Sequence, residues 1–386
     1  MYACTKIKKQ QTKDAGLLRN TKTNNIAEVK KRCYTWRMAN PSAKNIEIMD
    51  VTIRDGSYLI DFQFKFYHIE RLVRFLDEAG LKYIEASQGL GLGAWRLGYK
   101  FNMSDLEYAK AAAKGRKSAL LGAIGHHRYT HLEDIDEISE YIDFFRVIVG
   151  PDEASCAIKF VKHTKGLGLM SIVQLSRSPY LSADRVSDSV AMLSDSGADI
   201  IYIVDTTGCM MPHDVEEYIG LAKKRSHCRI GFHAHNMLQM AMANTLEAVK
   251  CGADIVDASL MGVGRDLGNA SLEALVLNLR KIGVESGVSF EKLVSAYNYA
   301  SLLFENIKRP SWYAIYLASL KRDIYPLVLI DIIAKECHKD PFEVMETLAA
   351  MDGVTECRDK ELRELVHKLG GDFDQIVKKY GLKVIS

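Results

Sequence analysis

The chain has 386 residues, 48% of them hydrophobic and 26% charged, with a net charge of +2, which suits one α/β domain of about 250 residues plus an appendage. No apolar run approaches the ~18 residues that span a bilayer, which excludes a membrane-spanning helix. The eight cysteines contain no C-x-x-C pair; they read as free thiols in a reducing compartment, so a cytoplasmic protein is expected.

Residues 1–45 hold eleven Lys/Arg against Asp14 and Glu28, a local charge of +9, and leave 40 basic against 47 acidic residues, −7, for the rest. This lead reads as a flexible, loosely docked extension, with organellar targeting or an electrostatic tether to a polyanion as the alternatives. It has no secretory h-region, so export is not expected. Neither a membrane nor a nucleic acid is expected as partner of the body.

From residue 46 onward, short β-rich runs alternate with amphipathic stretches. Strands are expected at Ile46–Ile53, Tyr83–Ser87, Ser118–Ile124, Phe144–Val149, Met170–Leu175, Ile200–Val204, Arg229–Phe232 and Ile255–Ser259. Between them lie stretches such as FYHIERLVRFLDEAG and DRVSDSVAMLSDSGAD, whose apolar positions recur at three and four. Several end in a glycine (Gly80, Gly197, Gly252), as helix C-caps do. Near-continuous apolar strands alternating with helices call for a parallel sheet buried on both faces. Eight units within about 235 residues fit an α/β fold of the (β/α)8 barrel type over residues 46–284. An open nucleotide-binding sheet would want G-x-G-x-x-G after the first strand, where this chain has RDGSYL. From 285 to 386 the pattern turns to helix upon helix, a C-terminal appendage for oligomerisation or packing, for closing the barrel mouth, or for docking a partner enzyme.

Chemistry in such a barrel sits at the C-terminal ends of the strands. There the chain places Arg54-Asp55, then Glu85 followed by SQGLGLG, then His126-His127. Gln174, Arg177 and Tyr180 follow strand five, Asp205-Thr206 strand six, HAHN strand seven and MGVGRDLGN strand eight. His233 and His235, at i and i+2, point to one side of a strand and can offer two imidazoles to one ion. H-x-H alone is also a common structural pair. With Asp55 across the barrel, the set suits a divalent ion such as Mn²⁺ or Mg²⁺ with positions left open for substrate. Asn269 is either a further oxygen ligand or a helix N-cap. Arg54 is either half of a surface ion pair or a fixed positive donor for an enolate oxygen.

The motifs D-x-T-x-R-D-G (Asp50 to Gly56), I-E-x-x-x-G, V-D-T-T-G, G-F-H-x-H-N and G-x-G-x-x-x-G-N, in this order over residues 46–280, resemble the metal-dependent aldolase and lyase barrels. That superfamily includes hydroxymethylglutaryl-CoA lyase, the isopropylmalate and homocitrate synthases, and 4-hydroxy-2-oxovalerate aldolase, whose loops IEASQGLGLGAWRLGY and VDTTGCMMPHDV resemble most. The resemblance implies that Asp55, His233 and His235 bind the metal, that Arg54 stabilises the enolate oxygen, and that Thr206 helps hold the substrate carboxylate. Glu85 and Gln174 are further candidates for substrate contact. It further implies a homo-oligomer that cleaves or forms a 4-hydroxy-2-oxo acid, giving pyruvate enolate and an aldehyde.

One position departs from the pattern. The aldolases carry a histidine, the base, where this chain has Tyr58, and a phenol with a pKa near 10 is a poor base at neutral pH. Either the metal and Arg54 perturb Tyr58 so that it still serves, or another group does the work; His126 and His127 are the replacements at hand, with a polar loop pair facing solvent as their alternative reading. SWYAIY resembles the segment that contributes a catalytic tyrosine, leaving Tyr313 and Tyr316 both open. Trp95, Arg96 and Tyr99 replace small residues of the glycine-rich loop and point to an aldehyde other than acetaldehyde; that loop reads as a substrate cover rather than a phosphate cradle. Two further functions compete: a Claisen-type acyl-CoA synthase or lyase, whose loop would carry a Glu absent from GVGRDLGN, and a barrel without chemistry that serves as a scaffold or binder.

Overall fold

The computed structural model describes residues 45–305, 312–351 and 357–382; the basic extension expected over residues 1–45 lies outside them, apart from Asn45. Eight parallel strands close into a barrel in chain order. They are β1 (Glu47–Asp50), β2 (Tyr83–Glu85), β3 (Leu120–His126), β4 (Phe144–Val149), β5 (Met170–Leu175), β6 (Ile200–Asp205), β7 (Arg229–Ala234) and β8 (Ile255–Ala258). Closure pairs β1 with β8, Met49 opposite Asp257 and Asp50 opposite Ala258. Outside lie α1 (Phe66–Glu78), α2 (Asp105–Gly115), α3 (Leu132–Ile138), α4 (Ile158–Gly166), α5 (Ala183–Asp195), α6 (Pro212–Arg225), α7 (Ala241–Lys250) and α8 (Leu272–Ile282). The (β/α)8 expectation is met.

The helices form where apolar residues recur at helical spacing: α1 buries Ile69, Leu72, Val73 and Leu76 against the strands. The α1 cap, Gly80, sits at φ +93, and a Cβ there would approach the Gly287 carbonyl oxygen to 2.8 Å, so only glycine fits both the turn and the packing. Inside the barrel, Met49, Tyr83, Phe144, Ile172, Ile200, Tyr202 and Ile255 form a separate apolar layer. Gly231 makes room for its neighbour, because a Cβ there would stand 2.6 Å from the Tyr202 ring.

One boundary differs from expectation in a way that shapes the site. β1 stops at Asp50, and Thr52–Gly56 form a single helical turn rather than the end of the strand. The Asp50 carboxylate accepts hydrogen bonds from the Thr52 N–H (3.0 Å) and hydroxyl (2.7 Å), and Asp55 N–H donates to the Val51 carbonyl at 2.8 Å. Asp50 thereby offers the backbone a local turn in place of the ladder. Neighbours on a helical turn are about 100° apart rather than on opposite faces, so Arg54 and Asp55 are both buried and both reach the mouth of the barrel.

Beyond the barrel, α9 (Phe290–Leu303) adds Leu293, Ala296 and Ala300 to the barrel's own outer core. A second apolar core begins at Tyr313 and is built by α10 (Trp312–Ser319), α11 (Val328–Glu336), α12 (Pro341–Ala349), α13 (Asp359–Lys368) and α14 (Phe373–Tyr380). The segment between α10 and α11 brings Asp323, Tyr325 and Pro326 to the barrel mouth. No described helix is long and apolar enough to cross a membrane.

Candidate active site and metal centre

A cavity of about 780 Å³ opens at the C-terminal ends of the strands, with Arg54, Asp55, Tyr58, Gln174, His233 and His235 in its wall. β7 carries His233, and His235 lies one residue past its end, held by its N–H to the Asp205 carbonyl (3.2 Å). The two Nε2 atoms are 3.3 Å apart. Asp55, His233 and His235 each bring a ligand atom within 4.8 Å of the others, and all three are buried. Asn269 follows β8 and turns its amide onto them: Nδ2 donates to Asp55 Oδ2 at 2.7 Å and to the Val263 carbonyl at 2.9 Å. The loop can come this close because of Gly264, where a Cβ would collide with the Asn269 amide and Asp55 Oδ2.

Beneath the cavity floor lies a buried charge network. Arg54 donates from Nε to Glu85 Oε2 and from Nη1 to Asp55 Oδ1, both at 2.6 Å. Arg146, fully buried, donates from Nη2 to Asp257 Oδ2 (2.6 Å) and lies 3.3 Å from Glu85 Oε1 through Nη1. The same Asp257 oxygen is 2.8 Å from His233 Nδ1, the arrangement that orients a ligating imidazole. Two guanidinium groups thus face three carboxylates. Burial opposes the Asp55 charge, but Arg54, His235, His233 and the Asn269 amide overcome it and hold the carboxyl well below the usual range. Burial drives His235 down to about 3 against the pull of Asp55, so the ring is neutral near pH 7, as a ligand must be.

These residues fit a divalent cation. Asn269 Oδ1 and His235 Nδ1 are buried without a hydrogen-bond partner, which is costly unless something else satisfies them. Three buried carboxylates against two guanidiniums leave one excess negative charge beside two imidazoles, which asks for a positive charge in the same place.

Of the other residues read from the sequence, Gln174 and Thr206 line the cavity, and Thr206 Oγ1 accepts the Arg177 N–H at 2.7 Å. His126 lines it too, whereas His127 turns its Nε2 to Glu153 at 3.3 Å. Burial, with His127, Arg128 and Arg177, depresses His126 well below its ordinary value. Its Nδ1 accepts the Arg128 N–H at 3.3 Å, which leaves the proton of the neutral ring on Nε2, a donor. Tyr58 lines the cavity and donates to the Gly89 carbonyl at 3.2 Å. Burial, reinforced by Tyr325 and Asp55, raises its pKa well above the ordinary value, so the phenol keeps its proton. Arg96 and Tyr99 line the cavity, while Trp95 is 58% exposed and is not part of its wall.

Two expectations are corrected. Glu85 does not reach the substrate space; it is fully buried below Arg54 and clamps that guanidinium. Tyr313 and Tyr316 belong to the second core, where their hydroxyls bond Asp331 and Glu346, and neither lines the cavity. Tyr325 stands there instead, its ring 6.0 Å from that of Tyr58. Arg146 and Asp257 were missed, although a charge inside the apolar runs FFRVIV and IVDA was a signal, since a charge within a buried strand needs a partner. Arg265, tied to Asp266 (3.0 Å) and Asp323 (2.8 Å), was missed because its partner lies 58 residues on.

Residues 151–299 match the HMGL-like family model. The chain is 36% identical over 249 residues to the oxaloacetate decarboxylase of Mycobacterium tuberculosis, covering 64% of this chain and 74% of that protein. It is 34% identical over 256 residues to a 4-hydroxy-2-oxovalerate aldolase of Geobacillus genomosp. 3, covering 66% of this chain and 76% of that one. In fold it is similar to the HMG-CoA lyase from Brucella melitensis, at a TM-score of 0.59 and 17% identity, with 68% of this chain and 100% of that one covered. With a closed eight-stranded barrel, the Asp55, His233 and His235 cluster and these relatives in agreement, the chain belongs to the HMGL-like family of carbon–carbon lyases.

Proposed function

We propose that this protein is a divalent-metal-dependent aldolase that cleaves or forms a 4-hydroxy-2-oxo acid, with pyruvate enolate and an aldehyde as the two halves. The observation that carries the reading is the meeting of Asp55, His233 and His235 with the Arg54 guanidinium, whose Nη2 is buried and without a partner, at one cavity. A divalent ion such as Mn²⁺ or Mg²⁺, held by Asp55, His233 and His235 with Asn269 Oδ1 beside them, would polarise the ketone and carboxylate oxygens of a 2-oxo acid. Arg54 Nη2 is the donor for the enolate oxygen; such a fixed donor contributes about 10²–10³ in rate. Thr206 and Gln174 offer a hydroxyl and an amide to the substrate carboxylate. In aldol formation Tyr58, protonated, gives its proton to the aldehyde oxygen as the new bond forms; in cleavage the same phenolate takes the 4-hydroxyl proton back, so its raised pKa favours the forming direction. The 780 Å³ cavity and the Arg96 and Tyr99 side chains in its wall favour an aldehyde larger than acetaldehyde.

A second reading has its own support. Decarboxylation of oxaloacetate also ends in pyruvate enolate but needs no base to remove a hydroxyl proton. A protonated Tyr58 in the place of a histidine and the 36% identical relative favour it. Pyruvate release from a panel of 4-hydroxy-2-oxo acids and from oxaloacetate, each with Mn²⁺ or with chelator, separates the two. Metal-dependent pyruvate from oxaloacetate alone makes the protein a decarboxylase; none from either substrate ends both readings.

A further inference from the structure

Arg146 stands in the middle of β4, opposite Ile124 on β3 and Ile172 on β5, with 0% of its surface exposed. It does not line the cavity. Its guanidinium carbon lies 4.0 Å from the centre of the Tyr202 ring, and Met49 Sδ is 3.3 Å from Nη1. One edge of the guanidinium reaches Glu85, the residue that clamps Arg54 Nε; the other reaches Asp257, the residue that holds His233 Nδ1. The strands joined in this way, β2, β4 and β8, are not neighbours in the barrel.

We propose that Arg146 is a positioning residue that sets both working arms of the site at once, fixing the Arg54 guanidinium through Glu85 and the His233 imidazole through Asp257. A buried ion network is a costly way to fill a barrel, since apolar side chains of similar volume often serve stability as well or better. What a planar guanidinium adds is geometry: two edges of N–H donors at a fixed angle, which hold two carboxylates in one plane. The carboxylate behind a ligating imidazole selects the ring's tautomer and direction, and loss of such a partner weakens metal binding about 10- to 100-fold. The link between Arg54 and His233 therefore runs through one side chain that touches neither substrate nor ion.

The test uses the full-length protein, Mn²⁺ alone as the metal probe, and exchange of pyruvate C3 protons with solvent deuterium as the chemical probe. Arg146→Lys keeps the charge but cannot span both carboxylates. Its expected result is Mn²⁺ affinity weaker by about tenfold or more, together with slower exchange at saturating Mn²⁺ and a pyruvate KM close to that of the unchanged protein. Glu85→Gln and Asp257→Asn, isosteric changes at the two ends, supply an independent cycle that holds even where Arg146→Lys fails to fold. Asp257→Asn is expected to weaken Mn²⁺ binding and Glu85→Gln to slow exchange, with non-additive effects in the double variant because the two share one guanidinium. Wild-type Mn²⁺ affinity and exchange in Arg146→Lys, or simple additivity in the cycle, would overturn the proposal and leave Arg146 a packing residue. The exchange arm rests on the pyruvate reading above. If the unchanged protein exchanges no pyruvate protons, that reading falls, while the Mn²⁺ comparison still decides the role of Arg146.

Discussion

At the scale of single residues, Tyr58 carries the sharpest prediction. Burial beside Tyr325 and Asp55 keeps it protonated; in the proposed reaction it is the donor, and no break from its ionisation is expected in a pH–rate profile below pH ~10. Tyr58→Phe is expected to lower aldol formation by about 10²-fold, while pyruvate proton exchange and oxaloacetate decarboxylation stay near their original rates. Steady-state kinetics of the three reactions check this; an equal loss in all three would place Tyr58 in the enolate half instead. The sequence showed that a phenol replaces a histidine but not which way its pKa moves, because the sign depends on what buries it. Arg54, Asp55, His233 and His235 could be picked out in advance because chemical type and spacing alone bring them to one end of the barrel. Tyr325, in the non-helical segment between α10 and α11, was not singled out beside Tyr313 and Tyr316, because only packing decides which tyrosine faces the cavity.

At the scale of elements, the turn after β1 aims Arg54 and Asp55, and Asp50 holds that turn. Burial raises its pKa from 3.8 to about 7 despite the hydrogen bonds from Thr52. The folded protein keeps a proton there that the unfolded chain releases. The Asp50 contribution to stability is therefore fully present below about pH 4 and is lost as pH rises through about 7. Asp50→Asn removes this titration, so its stability relative to the unchanged protein is expected to improve as pH goes from about 4 to above 7. Urea unfolding of both proteins across that range measures the difference, and a pH-independent gap would contradict it. All eight strands were legible from their apolar runs to within a few residues, as expected for strands buried on both faces. The early stop of β1 was not, because it depends on the Asp50 side chain competing with a ladder partner.

At the scale of the whole molecule, the C-terminal segment completes the cavity wall. Asp323 reaches Arg265 on the loop after β8 at 2.8 Å, and that guanidinium lies 5.5 Å from the centre of the Tyr325 ring. The loop also carries Asn269, whose amide bonds Asp55, and Gly264, whose missing side chain leaves room for both. Arg265 and Asp323 are partly buried and Arg265 keeps Asp266 as a partner, so Asp323→Ala is expected to lose about 1.5 kcal/mol, the worth of one charged hydrogen bond, in urea unfolding. On the aldolase reading, it should also raise the KM for the aldehyde more than that for pyruvate, since the segment lines the cavity wall; an unchanged aldehyde KM would detach the appendage from the reaction.

The amino-acid sequence by itself determined the barrel, its strand order and the carboxylate and imidazoles that gather at its mouth, because these follow from short-range periodicity and from chemical identity at strand ends. Only the tertiary structure decided that Glu85 lies buried against Arg54 and outside the cavity wall, that Tyr325 rather than Tyr313 faces the cavity, and that Arg146 joins Glu85 to Asp257. Each of these depends on contacts between residues far apart in the chain, 61 positions for Arg146 and Glu85 and 111 for Arg146 and Asp257. No local pattern encodes such a distance; closing the barrel brings those side chains within reach.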